Sequence, residues 1–206
     1  FVILATMFVS SSVNNIISVT TALDDYIEMA DAPDYLIMTM DKSLTADVDK
    51  AISSAPSVER SGSEKIIFLL ADHMSFEDES ITAANGTNML HSDKDLSMNY
   101  FLSDGSILET VNKGEMYITD GKGPIGLETG DKIKIEIEGI SREFTFAGTI
   151  KDAALGSSMN SMVRYIINAE DLEYFTSNEI INNYTGNLYY LHTNDLDKTI
   201  SELSDA

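Results

Sequence analysis

Between Gly126 and Ile167 the chain carries its tightest constraint on folding. Ile133, Ile135 and Ile137 alternate with Lys134, Glu136 and Glu138, the period-2 pattern of a strand with one face buried. Phe144, Phe146 and Ile150 resume that period after a short turn containing Gly139. The two runs predict an antiparallel hairpin, residues 132–138 against 142–150, apolar on one face and charged on the other. Ile133, Ile135, Ile137, Phe144 and Phe146 are its expected core residues.

Further motifs flank the hairpin. Gly126-Leu127-Glu128-Thr129-Gly130-Asp131 precedes it, Asp152 followed by Leu155-Gly156-Ser157-Ser158-Met159 comes after, and Arg164-Tyr165-Ile166-Ile167 closes the block. In this order the pieces resemble the extracytoplasmic domain (MacB-like periplasmic core) of MacB/FtsX-type ABC transporter permeases. There a GL-x-x-GD-x-I turn opens a hairpin, and a D-x-x-x-GSS loop and an R-Y-I-I strand follow. The specific motifs lie in residues 126 to 167, and the element order follows the family along the whole chain.

The resemblance implies an α+β fold in three parts. Residues 1–32 would be the end of a transmembrane helix and a long N-terminal stalk helix. Residues 33–75 and 185–206 would form a porter-like split α/β subdomain, and 76–184 an inserted β-rich subdomain. The helix ending at Ala206 would lead to one more strand and the next membrane helix. The implied function is mechanical and not enzymatic: a cytoplasmic ATP-binding subunit hydrolyses ATP, and the permease, usually a dimer, moves its outer domain for transport or signalling. The family's cargoes and partners are peptides, antibiotics, lipids or lipoproteins, and cell-wall proteins. The implied location is the cell membrane, with this domain on the extracytoplasmic face. A ligand-binding or sensory domain of a membrane receptor would share the stalk and the acidic exterior, and the downstream residues would distinguish the two. A secreted enzyme is the third reading, and the missing catalytic constellations speak against it.

The rest of the chain gives element-level expectations. After Pro33, residues 35–40 read as a buried strand, and a helix is expected from Thr45 to Ser54. Thr45 is its expected N-cap, Asp47 and Asp49 sit near the positive end of its dipole, and Val48, Ala51 and Ile52 point inward. Ile66 to Leu70 is a second strand, completing a split α/β unit. Between Ser75 and Asn99 polar and acidic residues dominate, which reads as a long surface excursion or as the crossover into an inserted subdomain. Asn99 to Leu102 suggests a strand ended by a turn at Asp104-Gly105, and Ile107 to Val111 reads as helical. Glu115 to Ile118 and Val163 to Ile167 read as strands. Asn168 should cap a short helix over Ala169 to Phe175. Leu188 to His192 is a strand, and Asp195 to Leu203 an amphipathic helix with Leu196, Ile200 and Leu203 inward.

The first residues bear on the membrane expectation. The chain opens on Phe1 without an initiator Met and reads as a piece of a longer protein. Phe1 to Val9 is apolar apart from Thr6, half of the ~20 residues a span needs. It reads either as the outer half of a membrane helix or as an ordinary buried helix start. Val13, Ile16, Ile17, Leu23 and Ile27 then share one side of a helix, which would reach ~45 Å by Asp31 at 1.5 Å per residue. Asp24, Asp25, Glu28, Asp31, Asp34 and Asp41 all precede the first cation, Lys42. Cytoplasmic flanks are rich in Lys and Arg, so this flank reads as outside.

Composition narrows the chemistry. Thirteen Lys and Arg stand against 34 Asp and Glu, a net charge of −21, which opposes nucleic-acid binding and flat adsorption on anionic lipid. There is no cysteine, so thiolate zinc sites, thiol nucleophiles and disulfides are excluded. Asn85-Gly86-Thr87 and Asn183-Tyr184-Thr185 match the glycosylation acceptor pattern, which chance supplies at this length. No G-x-S-x-G, H-E-x-x-H or G-x-x-x-x-G-K-[ST] occurs, and Gly121-Lys122-Gly123-Pro124 reads as a turn. His73, beside Asp72, His91 and His192 are expected as surface or hydrogen-bonded histidines. Glu77-Asp78-Glu79 and Asp93-Lys94-Asp95 lack the spaced ligands of a calcium loop. Gly156-Ser157-Ser158 reads as a structural loop. Met159 and Met162 read as core or edge packing, or as an adaptable contact surface. The sequence assigns no catalytic, cofactor-binding or metal-binding residue.

Overall fold

The structure is a computed structural model that describes residues 20–40, 42–76, 79–80, 87–94, 96–121, 126–156 and 162–204. It is α+β. In chain order the strands are β1 (Tyr35–Thr39), β2 (Val58–Leu69), β3 (Met74–Phe76), β4 (Glu79–Ser80), β5 (Thr87–Ser92) and β6 (Phe101–Leu102). They continue with β7 (Glu115–Thr119), β8 (Lys132–Ile137), β9 (Ile140–Lys151), β10 (Met162–Ile167) and β11 (Thr185–Thr193). The helices are α1 (20–29), α2 (Thr45–Ser54), α3 (Ala169–Thr176) and α4 (Leu196–Ser204).

All eleven strands join one mixed sheet in the order β1-β11-β2-β5-β10-β7-β9-β8-β3-β4, with β6 paired to β9. The β5–β10 and β7–β9 pairs are parallel and the others antiparallel. The predicted hairpin is β8–β9. Ile137 faces Ile140 across a two-residue turn in which Glu138 and Gly139 have φ of 50° and 78°. Positive φ at both positions gives the turn whose twist matches that of the strands. Ile133, Ile135, Ile137 and Phe144 are fully buried and Phe146 nearly so, while Lys132, Lys134 and Glu136 face solvent.

Side-chain alternation divides the interior into three clusters. One, under α3, gathers Ile67, Leu90, Ile118, Tyr165 and the hairpin residues with Leu172 and Phe175. A second, on the opposite sheet face, gathers Ile66, Met89, Ile166 and Tyr190 with Tyr100, Leu108 and Val111 from the connections. The third is small and joins Tyr189 and Leu191 to Ile52 of α2, with Leu203 of α4 packed against it.

Several expectations change. The Ser75–Asn99 stretch contains a central strand: Asn88, Met89, Leu90 and His91 of β5 are buried. Its two buried polar residues, Asn88 and His91, hid it, and tertiary partners satisfy both. Tyr165 donates to Asn88 Oδ1 at 3.2 Å, and His91 bonds Glu64. Strand β2 begins eight residues before Ile66, because its polar first half pairs with β11 through the backbone ladder. Residues 107–111 are not helical. They form no regular element beyond an isolated bridge from Ile107 to Phe101, with Leu108 N–H donating to Tyr100 C=O and Val111 N–H to Asp93 Oδ2.

Helix α2 keeps its predicted bounds, but Leu44 is its N-cap, because a 3-10 turn over Lys42–Leu44 runs directly into it. The Thr45 hydroxyl instead accepts from Asn187 Nδ2. In α4 Leu203 packs inward as expected, and so does Thr199, bonded to Ser57 and Thr193, while Leu196 and Ile200 are exposed. Strand β1 is half-buried because it forms the sheet edge. Asn168 caps α3 as predicted, accepting from Glu170 N–H.

The expected membrane segment, with Val13, Ile16 and Ile17 of the stalk, lies outside the described residues. No described helix is long and apolar enough to cross a membrane. Helix α1 packs through Tyr26, whose ring centroid is 5.7 Å from that of Phe101, and the chain after it through Ala30. Leu23 and Ile27 are exposed.

Candidate functional site

Strands β11, β2, β5 and β10 are consecutive in the sheet, and their register places Tyr190, Glu64, His91 and Arg164 on one face. Tyr100, just before β6, and Asp152, just after β9, close over them. The result is a charged cluster inside the second apolar cluster. The Arg164 side chain is fully buried. Its Nε donates to Asp152 Oδ2 at 2.9 Å, and its Nη1 donates to Tyr190 OH and lies 3.4 Å from Glu64 Oε2. The guanidinium carbon is 5.0 Å from the Tyr100 ring centroid, a cation–π distance. Glu64 accepts from Tyr190 OH at 2.8 Å, from Ser97 N–H at 2.7 Å and from His91 Nδ1 at 2.9 Å.

Burying ions costs several kcal/mol each unless partners replace water, and this cluster supplies them. Burial works against the Glu64 carboxylate, but the bond from His91, the Arg164 charge and the Ser97 amide outweigh it and hold the carboxyl down at about 2. Burial, reinforced by the Arg164 charge, pushes His91 down to about 4 against the pull of Glu64. His91 is therefore neutral at pH 7 and binds Glu64 as an Nδ1–H donor; the charge that keeps Glu64 ionised is that of Arg164. Burial likewise raises Tyr100 and Tyr190, which stay protonated.

The loop after β9 explains two of the motif residues. Asp152 Oδ1 accepts from the N–H groups of Ala154 and Leu155 at 2.9 and 2.8 Å, and Asp152 C=O accepts from Gly156 N–H at 3.0 Å. A Cβ on Gly156 would sit 2.2 Å from that carbonyl oxygen, so only glycine fits. Asp152 thus shapes the loop with one oxygen and binds Arg164 with the other. The Gly130-Asp131 turn is also structural: Gly130 N–H donates to Phe146 C=O, Phe146 N–H to Asp131 C=O, and Asp131 Oδ2 accepts from Glu128 N–H. The described motif residues, the Gly130-Asp131 turn, the Asp152–Gly156 loop and Arg164, are thus linked through β9 and the Asp152–Arg164 pair. A cleft of about 390 Å³ opens beside Asp152, lined by Tyr26, Thr119, Lys151 and Gly156 among others.

Of the other singled-out residues, His73 and Asp93 are hydrogen-bonded, while His192 Nε2 is buried without a hydrogen-bond partner among the described residues. His73 Nδ1 accepts from Leu70 N–H, and its ring meets Tyr184 edge-on at 4.9 Å. Asp93 accepts from Val111 and Ala169 N–H groups. His192 is half-buried on β11, and Met162 packs against the second apolar cluster. Lys122, Gly123, Pro124, Ser157, Ser158, Met159, Glu77, Asp78 and Asp95 lie outside the described residues. Sequence reasoning named Arg164 and Asp152 only as motif letters and did not connect them with Glu64, Tyr100 or Tyr190. The available signal was a lone arginine inside an otherwise apolar β-run, which needs a buried counter-charge. Among the described residues the cluster holds no nucleophile paired with a free base; its acids and its arginine are bound to one another.

No protein-family model matches the chain, and no curated protein matches it. Among solved structures it is similar to a domain of "a putative Permease protein from Porphyromonas gingivalis", at 15% identity over 76% of this chain and 68% of that one, with a TM-score of 0.39. A likeness of that size carries no functional weight.

Proposed function

We propose that this chain is the extracytoplasmic domain of an ABC transporter permease of the MacB/FtsX type, a non-catalytic part that moves when a cytoplasmic partner hydrolyses ATP. The observation that carries the reading is the fit between the described motif residues and the structure: the Gly130-Asp131 turn is hydrogen-bonded to β9, and Asp152 of the loop and Arg164 of the strand are joined in a buried ion pair at 2.9 Å. In this reading 1–32 supplies the end of a membrane helix and a stalk. Residues 33–75 with 185–206 form the porter-like part, and 76–184 form the insertion.

Mechanical coupling requires stiffness. The sheet runs without a break from β1 to β4, and a cluster of buried charges tolerates little relative displacement of its strands. The test is affinity purification of the full-length protein from detergent-solubilised membranes. The expected result is a co-purifying ATP-binding subunit whose ATPase rate changes when the outer domain is deleted. Recovery of a signalling domain on the same polypeptide, with no ATPase bound, would replace this reading with the receptor one.

A further inference from the structure

Among the described residues one stretch of the sheet face stays uncovered at β2. Helices α2 and α4 cover β1 and β11, and α3 covers the first apolar cluster beside β5 and β10. Between them Ser61, Ser63 and Lys65 of β2 are exposed although β2 is an interior strand. Antiparallel strands such as these can leave one face open to water. At one end of this stretch lies a pocket of about 200 Å³ lined by Ser63, Glu64, Lys65, Ser92, Lys94 and Leu172. Alternation along β2 sends the Glu64 carboxylate through to the opposite face, where it meets His91 and Tyr190. The pocket therefore receives the two lysines without that acid.

We propose that this pocket binds a phosphate group, held by Lys65 and Lys94 with the hydroxyls of Ser63 and Ser92 as further donors. The charge pattern argues for it. In a chain with 34 acidic residues, most described cations find a carboxylate: Arg60, Lys113, Lys132, Lys134, Arg142, Arg164 and Lys198 all form ion pairs. Lys50, Lys65, Lys94 and Lys151 are the described side chains left without one, and two of these four line the same small pocket. Two like charges lining one pocket favour an anion between them. The hydroxyls are free to help. Ser92 Oγ accepts from Lys94 N–H, so its hydrogen remains available, and the Ser63 hydroxyl makes no hydrogen bond among the described residues. Lysines bind phosphate as rotatable point charges, with three donors each and no fixed fork geometry to satisfy. The source is a soluble phosphate ester or a phospholipid headgroup, and both present the same chemistry.

The experiment is an NMR titration of the protein with inorganic phosphate at ~0.1 M salt, where long-range charge effects are screened. The expected result is saturable shifts concentrated at the amides of Ser63, Lys65, Ser92 and Lys94. Replacing both exposed lysines, Lys65→Gln with Lys94→Gln, should weaken binding by about tenfold or more, the scale of one lost charge-assisted contact. The Lys50→Gln plus Lys151→Gln control should bind as wild type. Competition by glycerol phosphate indicates a soluble ester, and competition by phosphatidic acid vesicles a headgroup. If neither competes, the site takes free phosphate. Shifts that rise linearly, or a lysine double variant that binds like its control, overturn the proposal.

Discussion

Asp152→Ala should be among the most damaging single changes outside the apolar core. Its side chain is fully buried against Arg164, and the substitution removes three interactions at once: the 2.9 Å bond from Arg164 Nε and the two loop amides of Ala154 and Leu155. Arg164 Nη2 already lacks a hydrogen-bond partner among the described residues, so the guanidinium would keep only its Nη1 contacts. Breaking a buried ion pair from one side costs about 3–5 kcal/mol, and the orphaned amides keep the estimate at the upper end. At about 2–4 °C per kcal/mol for a chain of this size, the melting temperature should fall by roughly 6–20 °C. Urea unfolding followed by far-UV circular dichroism would read the loss as a lower midpoint at unchanged slope. Asp152→Asn should recover only part of it. An amide that keeps its oxygen on the loop points its N–H₂ at Arg164 Nε, donor against donor. In a double-mutant cycle with Arg164→Met the two losses should be less than additive by about 1–3 kcal/mol. A single Asp152→Ala variant within about 1 kcal/mol of wild type would refute the claim that Arg164 depends on this carboxylate.

Other expectations are simpler. Ile135→Ala removes a fully buried side chain from the hairpin core and should cost about 2–5 kcal/mol by thermal or urea unfolding; a neutral result would remove it from the core. Gly139→Ala should cost about 1 kcal/mol in the same assay from backbone strain alone, since nothing lies within 4 Å of the added Cβ; an unchanged midpoint would mean the turn does not need its positive φ. Stability should fall with acid in two steps. His91 is depressed to about 4 from 6.5, so its contribution is complete above pH 6.5 and is lost as pH falls toward 4. Glu64 is depressed to about 2 from 4.5 and adds a further loss between those values. The first step, on the order of 3 kcal/mol, should be missing from the pH profile of His91→Gln urea midpoints; an identical profile would show that the imidazole is not its source.

Local chemistry was legible in the sequence and distant compensation was not. The hairpin could be read because its alternation, its turn and its buried face are all encoded within twenty consecutive residues. The Asn168 cap was likewise a matter of neighbours. Strand β5 was hidden because Asn88 and His91 look solvent-facing until Tyr165 and Glu64 are brought to them from other strands. Only Leu203 of the three apolar residues expected inside α4 packs inward: Leu196 and Ile200 share its helical spacing, but the hydroxyls of Ser57, Thr193 and Thr199 fix the rotation of the helix. The charged cluster joins residues as far apart as Glu64 and Tyr190, and no window of sequence contains that information.

The place of β11 has a consequence for how the chain is made. Strand β11, from Thr185 to Thr193, lies between β1 and β2, and those two strands do not pair with each other. During synthesis both wait through more than a hundred residues with unpaired edges, a condition that slows folding and invites association with other nascent chains. The polar, glycine-containing first half of β2, Glu59-Arg60-Ser61-Gly62-Ser63, is poorly suited to such association and protects the interval. Ribosome-bound chains stalled before Thr185 should therefore leave β1 open to protease, and chains stalled well beyond Thr193 should not; equal cleavage in both would show that β1 closes by another route.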